Sequence, residues 1–384
     1  MMGRGRSLAG LGVAMAMIAG AMSSALGQGR GASAIRVTVG GAMEQSFGYA
    51  TNRDGVRVAQ SRQTGTSTVV LANPNRWGQQ SDSEIWFSGR ARLESGLVVG
   101  FKVELEGNSQ FSDQIDESYL FVEGGFGRLV LGAENDAAYL MHVSAPRPGD
   151  GWGVLESAVT GWVNTPRSMY FLTTTAPLST GDDQKLSYFT PRLHGVQAGF
   201  SFTPNDKQDV REFSDRARDR TNMATAALNG RWTWAPVSLG ASIGWVHGAP
   251  VSRATFADRR TPLDDLAAGA ELRFAGWSAG GGIRWLRNPG SSLAGRVLAA
   301  GVAKDLGDAA VGVGAIVSRT AGLATTPGRD RGEIILISGS YKLAPGVSAI
   351  AAAFAAEFSA GPSRTAAEDN NRGVGLVTGL RLAF

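Results

Sequence analysis

The main pattern along this chain is an alternation of apolar and polar residues with a period of two. In residues 97–107 (LVVGFKVELEG), every second residue from Leu97 is apolar, while Lys102, Glu104 and Glu106 occupy the positions between them. Successive side chains of a β-strand point to opposite faces, so this period predicts strands that have one apolar and one polar face.

Sixteen segments show this alternation. They lie at residues 35–48, 83–94, 97–108, 116–123, 126–134, 185–190, 196–203, 222–233, 237–247, 264–274, 277–287, 295–304, 309–319, 332–343, 347–358 and 371–384. Short turns such as Ser95-Gly96 and Gly124-Gly125 alternate with longer polar connections. A transmembrane barrel sorts its loops in this way, with tight turns on one side and long loops on the other. The sequence therefore predicts an all-β fold, a transmembrane 16-stranded antiparallel β-barrel.

Aromatic residues support this interpretation, because they gather at opposite ends of the segments. Trp277 and Phe384 lie beside short turns, and Trp245 and Trp285 lie toward the long connections. Two such bands correspond to the interfacial girdles of a membrane barrel. Charged residues on the polar face, such as Glu104, would be prohibitive in a dry core, so that face is expected to line water.

The N-terminal residues predict a separate element. Arg4 and Arg6 precede an apolar run over residues 8–22, and small residues follow it. This order is that of a secretory signal peptide. We expect cleavage after Gly27, which leaves residues 28–384 as a single barrel domain.

Composition narrows the possible chemistry. The 384 residues contain no cysteine and three histidines, His142, His194 and His247, that are far apart in sequence. This argues against zinc–thiolate sites, iron–sulfur clusters and histidine-based catalysis, and we expect neither a cofactor nor a metal, and no enzymatic activity. Removal of residues 1–27 leaves a net charge of +2, with bases and acids interspersed, so no nucleic-acid partner is expected.

Several stretches carry a family resemblance. They are VTVGGAMEQSFGY (37–49), DESYLFVEGGFGRLVLGAENDAAYLM (116–141), KLSYFTPRLHGVQAGFSFTP (185–204) and GLRLAF (379–384). With these, the chain resembles the 16-stranded trimeric general porins of Gram-negative outer membranes. The resemblance implies an outer-membrane protein, exported through the periplasm, that forms a water-filled channel for passive diffusion of small hydrophilic solutes and ions.

The same resemblance implies partners. A homotrimer is expected, in contact with outer-membrane lipid and with lipopolysaccharide through divalent cations. The alternating C-terminal residues Leu380, Leu382 and Phe384 fit the signal that the outer-membrane insertion machinery reads in this family.

In these porins the longest connection, here residues 135–184, folds into the barrel and narrows it, and its acids commonly face bases on the wall. By position, the candidate constriction residues are the acids Asp136, Asp150 and Glu156 and the bases Arg36, Arg90, Arg92, Lys102 and Arg128. Glu104 and Glu106 are candidate pore-wall residues. Individual members of this set could instead lie at the rim or in subunit contacts.

Two alternatives stay open. Within the same architecture, the channel could select sugars or anions. From another class, the chain could be a secreted all-β carbohydrate-binding protein or hydrolase. Glu104 and Glu106 are two residues apart on one strand face, which places their carboxylates roughly 6–7 Å from each other, within the range of glycosidase carboxylate pairs. Lys102 shares their row, which favours a hydrated pore wall.

The acid–base run at 207–220 predicts a solvated outer loop or a lipopolysaccharide contact through Mg²⁺.

Deletion of Phe384 tests the assembly interpretation. Without the terminal aromatic residue of the insertion signal, we expect periplasmic, protease-sensitive protein and little surface-exposed trimer. Fractionation and unheated gel electrophoresis measure both. A normal trimer yield from the truncated chain would count against the resemblance.

Overall fold

The computed structural model describes residues 33–61, 67–107, 114–155, 158–206, 219–251, 262–287, 294–361 and 367–384. The predicted signal peptide, Glu156 and most of the 207–220 run lie outside these residues. Cleavage after Gly27 therefore stays a prediction.

Most of the described chain is β-strand. The strands are β1 Arg36–Ala50, β2 Val56–Ser61, β3 Ser67–Ala72, β4 Trp77–Arg92, β5 Val98–Glu106, β6 Ile115–Gly124, β7 Gly127–Ala133, β8 Gln184–Phe189, β9 Val196–Asn205, β10 Thr221–Trp234, β11 Val237–Gly248, β12 Leu263–Phe274, β13 Trp277–Arg287, β14 Gly295–Asp305, β15 Ala309–Leu323, β16 Thr326–Ala344, β17 Val347–Ser359 and β18 Asn370–Ala383. Strand β1 together with β4–β18 forms one closed antiparallel barrel. Each of the sixteen predicted segments corresponds to one wall strand, so the predicted fold class is confirmed.

The barrel closes where the first wall strand meets the last. Strand β1 pairs with β18 from Ala42↔Ala383 to Ala50↔Gly375, and on its other edge it pairs with β4. Closure leaves no strand edge facing lipid, which a bilayer requires because it offers backbone groups no hydrogen-bond partner.

Two connections differ from the sequence prediction. The segment between β1 and β4 contains a small hairpin, β2–β3, that was not predicted. The connection expected at 320–331 is a tight turn, because β15 and β16 continue to Leu323 and Thr326 with a register shift after Thr320. The extension was not predicted because it contains polar residues such as Arg329 and Asp330. Strands that continue beyond the apolar band of the membrane do not need an apolar outward face, so they lack the alternation used for prediction.

Helix is scarce. The described chain has two short α-helices, α1 Ala137–Leu140 and α2 Ala158–Trp162, and a 3₁₀ helix at Ala367–Asp369. No helix among the described residues has the length and apolar character needed to cross a membrane. Both α-helices lie in the long segment between β7 and β8, residues 134–183, which we call the long segment.

The two faces of the wall differ as the alternation predicts over most of the barrel. Outward side chains such as Leu376 and Leu120 are exposed, whereas inward Ser187 and Ser201 are buried. Part of the wall departs from this pattern, as on β16, where inward Ile334 and Leu336 are buried and outward Ile335 and Ile337 are exposed. The expectation of a polar inner face is wrong there, because protein rather than water covers that part of the wall.

Ile337 lies near the middle of β16 on the outer face and is 60% exposed. Ile337→Arg should lower the free energy of unfolding by about 2–4 kcal/mol, because it places a charge near the bilayer midplane. Unfolding in lipid vesicles measures the effect, with Ile337→Val as the matched control. Equal stability of the two variants would show that this face does not meet lipid.

Candidate functional site

The long segment lies against the inner face of the barrel. The backbone N–H groups of Val143 and Leu172 donate to Ser242 Oγ on β11 (2.8 Å) and Ser318 Oγ on β15 (3.0 Å). Trp152 reaches the opposite wall, where its Nε1 donates to Glu44 Oε1 on β1 at 2.6 Å. A segment that contacts β1, β11 and β15 through inward-facing side chains lies within the barrel.

Asp136 fastens both ends of this segment to the wall. It caps α1 by accepting from Ala138 N (2.9 Å) and Tyr139 N (3.0 Å). Its other oxygen accepts from Thr180 Oγ1 at 2.6 Å and from Thr225 Oγ1 on β10 at 3.2 Å. Burial raises the pKa of Asp136, and these hydrogen bonds oppose that rise. Asp136 is 1% exposed and so does not line open water.

A buried ion pair on the wall forms a second attachment point for the long segment. Arg284 on β13 donates to both carboxylate oxygens of Asp265 on β12, each at 2.8 Å. Ser179 of the long segment donates to the same carboxylate at 2.6 Å. The nearby His142 contacts Thr175 Oγ1 at 3.0 Å, and burial, with Arg284 adding to it, lowers the pKa of His142 to about 4. His142 is therefore neutral at pH 7.

Apolar packing completes the attachment. Phe171 meets Phe358 of β17 edge-on, with ring centroids 5.0 Å apart. Trp152 lies 6.3 Å from the ring of Phe354. These contacts join the buried inner face of β16 and β17. The long segment thus covers one part of the wall with an apolar core and leaves the lumen open elsewhere.

Glycines on the inner face mark the path of the long segment. A Cβ on Gly269 would lie 1.9 Å from the carbonyl oxygen of Val143, and one on Gly332 would lie 2.2 Å from the Phe171 ring. Inward glycines on several strands therefore leave the space that the segment occupies. These glycines are visible in the sequence, but their role can be recognised only once it is known which side chains of each strand point into the barrel.

The open lumen contains a cavity of about 1050 Å³ between the long segment and strands β1, β4 and β5. Its wall carries four acids, Glu44, Asp82, Glu84 and Glu106. Arg147 of the long segment and Arg381 of β18 face the same cavity. Wall acids thus face an arginine of the inserted segment. Glu106 was predicted as a pore-wall residue, whereas the predicted constriction has its acids on the segment and its bases on the wall.

Backbone register explains how the acids come together. Glu84 on β4 is directly opposite Glu106 on β5. Glu44 is bound by Arg381 Nη1 at 3.3 Å as well as by Trp152. Glu44 therefore connects the first strand, the last strand and the long segment.

The bases on this side are neutralised or lie elsewhere. Lys102 forms ion pairs with Glu104 and with Glu117 (2.7 Å). Arg36 and Arg90 are exposed, directly opposite each other, near the short-turn end. The structure does not bring them to the 1050 Å³ cavity.

The other two predicted bases also lie close to short turns. Arg92 Nη1 donates to Gly96 O at 3.0 Å. Arg128 pairs with Glu123 at 3.3 Å, and its guanidinium carbon lies 4.5 Å from the centroid of the Phe121 ring. Both belong to the rim of the barrel.

Asp150 has a different environment. It is exposed and accepts a hydrogen bond from Ser348 Oγ at 2.5 Å. It lines a cavity of about 560 Å³ that also contains Arg147, Arg273 and Lys342. An adjoining cavity of about 460 Å³ is lined by Arg147, Arg231 and Arg273.

The basic wall of the lumen therefore lies near the short turns of β10, β12 and β16, a part of the chain where sequence reasoning did not place it. Arg231, Arg273 and Lys342 occupy inward positions by the same alternation that marks the strands. Among the described residues, no group of three His, Cys, Asp or Glu side chains could hold a metal ion.

Comparison with known proteins agrees with this architecture. A family model described as Gram-negative porin matches residues 11–361. No curated protein matches the chain significantly.

Three solved structures illustrate the fold similarity. The anion-selective porin from Comamonas acidovorans aligns with a TM-score of 0.54 at 16% identity, over 91% of this chain and 100% of that chain. The loop L8 deletion mutant of OmpT from Vibrio cholerae aligns with a TM-score of 0.58 at 11% identity, over 92% and 100%. The trimer form of in-vitro folded OmpT from Vibrio cholerae gives 0.55 at 12% identity, over 92% and 100%.

At such identities the structures show the fold alone, and the family model supplies the membership. Family and fold together point to a channel rather than an enzyme, which argues against the secreted all-β alternative. Since the family model spans most of the chain and the barrel has sixteen antiparallel strands, the chain belongs to the Gram-negative porins and is a β-barrel channel of the outer membrane.

Proposed function

We propose that this porin is a passive diffusion channel whose ion preference is set by two oppositely charged walls. The observation that carries the proposal is the 1050 Å³ cavity, where Asp82, Glu84 and Glu106 face Arg147 and Arg381. The basic wall, Arg231, Arg273 and Lys342, lies on the other side of the lumen. Small hydrophilic solutes pass between the two walls, and a transverse field orients them.

The acidic wall keeps a negative excess. Among the described residues that line the cavity, the four acids outnumber the two arginines, Arg147 and Arg381, and Arg381 pairs with Glu44. Nearby Lys102 is engaged by Glu104 and Glu117. Charges in water are screened beyond about 8–10 Å at physiological salt. Only groups close to the permeating ion therefore bias its choice, and a cleft of one charge sign concentrates counter-ions. We infer a preference for cations along this wall.

The basic cavities support the second candidate, an anion-selective channel. Arg147, Arg231 and Arg273 surround the 460 Å³ cavity, with Glu271 as its acid. The sign of the reversal potential of the unmodified protein decides which wall dominates.

Neutralising each wall should shift selectivity in opposite directions. Glu84→Gln with Glu106→Gln should move the reversal potential toward anions under a KCl gradient. Arg231→Gln with Arg273→Gln should move it toward cations. We expect a change of about twofold or more in the K⁺/Cl⁻ permeability ratio at low salt, shrinking as salt rises.

The matched control for the Arg231/Arg273 variant is Arg36→Gln with Arg90→Gln, which removes two charges from β1 and β4 near the short turns, away from the 460 Å³ cavity. This control should change selectivity less than either wall variant. If it has the largest effect, Arg36 and Arg90 set the preference and the two-wall proposal fails.

We also propose that the channel is a homotrimer and that the outer face of β1, β4 and β17 forms the subunit contact. Gln45 Nε2 donates to Ser81 Oγ at 2.5 Å, and Gln79 Nε2 donates to Gln45 Oε1 at 3.2 Å. By the strand alternation Gln45 and Gln79 lie on the outward face, where lipid offers their amide groups no further hydrogen-bond partner. Alanines 351, 353 and 355 on the outer face of β17 permit close approach of a neighbour.

Gln45→Leu with Gln79→Leu tests the contact. On a lipid-facing surface these apolar changes should be harmless, whereas in a subunit contact they remove hydrogen bonds. We expect the variant trimer to dissociate at a lower temperature on SDS gels. Ala300→Leu, an apolar enlargement on the exposed face of β14, is the control and should leave the dissociation temperature unchanged. An unchanged temperature for the glutamine variant would place the contact elsewhere.

A further inference from the structure

The charge of the lumen wall changes sign along the length of β1 and β4. Near the short turns, Arg36 of β1 is directly opposite Arg90 of β4. Further toward the long loops, Glu44 is directly opposite Asp82 on the same two strands. The register between these strands is continuous, so residues an even number of positions apart share a face, and Glu44 and Asp82 both line the lumen cavity. One strand pair therefore presents two bases at one height and two acids at another.

The two pairs are farther apart than charges interact through salt water. On each strand the base and the acid are eight residues apart. Eight residues of strand extend about 26 Å, which is a rise of about 20 Å along the axis of a barrel whose strands tilt by about 40°. Screening at physiological salt acts beyond about 8–10 Å. The arginine pair and the carboxylate pair thus act on a permeating ion at different depths of the lumen.

Neighbouring strands extend both zones. Glu84 and Glu106 belong to the 1050 Å³ cavity, where four acids and two arginines are among the described lining residues. Close to the short turns, Arg231 and Arg273 belong to the 460 Å³ cavity, whose described lining has three arginines and one acid. The described lining of the 560 Å³ cavity has four bases and three acids. Acids are in excess at the greater height, and bases are in excess near the short turns.

Arg147 marks the boundary between the two zones. It is the one described residue that lines all three of these cavities. Its Nε donates to Gly151 O at 2.7 Å, and the adjoining Asp150 N donates to Ser340 Oγ on β16 at 3.1 Å, so the tip of the long segment is fixed to the wall. An ion that moves from the acidic cavity to the basic cavities passes this guanidinium. The two zones therefore lie in series along the permeation path.

We propose that the lumen rectifies ionic current and conducts better when the long-loop side is positive. At this polarity K⁺ enters through the acidic zone and Cl⁻ enters through the basic zone, so each ion first meets charge of opposite sign and is concentrated there. At the opposite polarity each ion must first cross a zone of its own sign, which depletes the lumen of carriers. The inference rests on the proposed diffusion channel and adds a direction to its conductance.

The test measures the instantaneous open-channel current of the full-length protein in planar bilayers at equal and opposite voltages. In about 0.1 M KCl, where the Debye length is about 10 Å, the two currents should differ about 1.5-fold or more. In about 1 M KCl, where the Debye length is about 3 Å, the current ratio should approach one.

The orientation of the inserted protein is read from Thr325→Cys, at the tight turn between β15 and β16. The chain has no other cysteine. A polymer-linked maleimide that is too large for the lumen therefore labels this variant only from the long-loop side, which fixes the sign of the voltage.

Each zone has a variant that tests its contribution. Asp82→Asn with Glu84→Gln removes two acids, and Arg36→Gln with Arg90→Gln removes two bases. Both variants should bring the current ratio at low salt closer to one, because each weakens one of the two opposed zones. Their reversal potentials should shift in opposite directions, so rectification and selectivity are separate readouts.

The matched control is Arg296→Gln with Arg319→Gln, which removes two exposed and directly opposed arginines from the outward face of β14 and β15. It should leave the current ratio unchanged. Equal currents at low salt in the unmodified protein, or a larger current at the opposite polarity, would overturn the proposal. An asymmetry that persists at about 1 M KCl would also overturn it, because the shape of the lumen rather than its charge would then be the cause.

Failure of this inference is distinguishable from failure of the proposed channel. Equal currents at both polarities, together with opposite shifts of the reversal potential in the wall variants, would leave the two-wall channel intact and place its charges at one height. A protein without conductance would fail as a channel, and the rectification proposal would fail with it.

Discussion

Backbone hydrogen bonding in a medium without water is the constraint on which this structure depends. Every N–H and C=O within the bilayer must find a partner in the chain, which a closed sheet provides. The closure is made by β1 and β18, and the terminal residue takes part in it. Gly41 N donates to Phe384 O at 3.0 Å, and Phe384 N donates to Gly41 O at 3.1 Å. The last residue of the chain is therefore part of the wall.

Closure creates a space that the chain must then partly fill. The long segment fills it with an apolar core on one side and leaves charged water-facing walls on the other. Each attachment is specific: Asp136 binds Thr180 and Thr225, and Ser179 binds the carboxylate of the Asp265–Arg284 pair. Packing of Phe171 on Phe358 adds a contact that water cannot replace. The position of the segment, and with it the charge distribution of the lumen, follows from these attachments.

The sequence predicts the wall far better than the lumen, and the reason is physical. Strands that separate lipid from water must alternate between apolar and polar side chains, so all sixteen wall strands were recognisable, including β5 with Lys102 and Glu104. The long segment obeys no such period. Where it covers β16, inward Leu336 is as apolar as outward Ile337. Which charged side chains lie close together in the lumen depends on distances between strands that are far apart in sequence. A local sequence pattern contains no information about these distances. For that reason Glu44, Asp82, Glu84 and Arg231 were missed, although Glu106 was predicted as a pore-wall residue. Arg36 and Arg90, which were predicted at the constriction, lie near the short turns.

Glu44 links the seam of the barrel to the segment inside it. Its carboxylate accepts from Trp152 in the middle of the chain and binds Arg381 near the end. Because β1 and β18 pair directly, one carboxylate belongs both to the strand pair that closes the wall and to the attachment of the long segment. The membrane seal and the charge of the pore therefore share a side chain, and a change at Glu44 alters both.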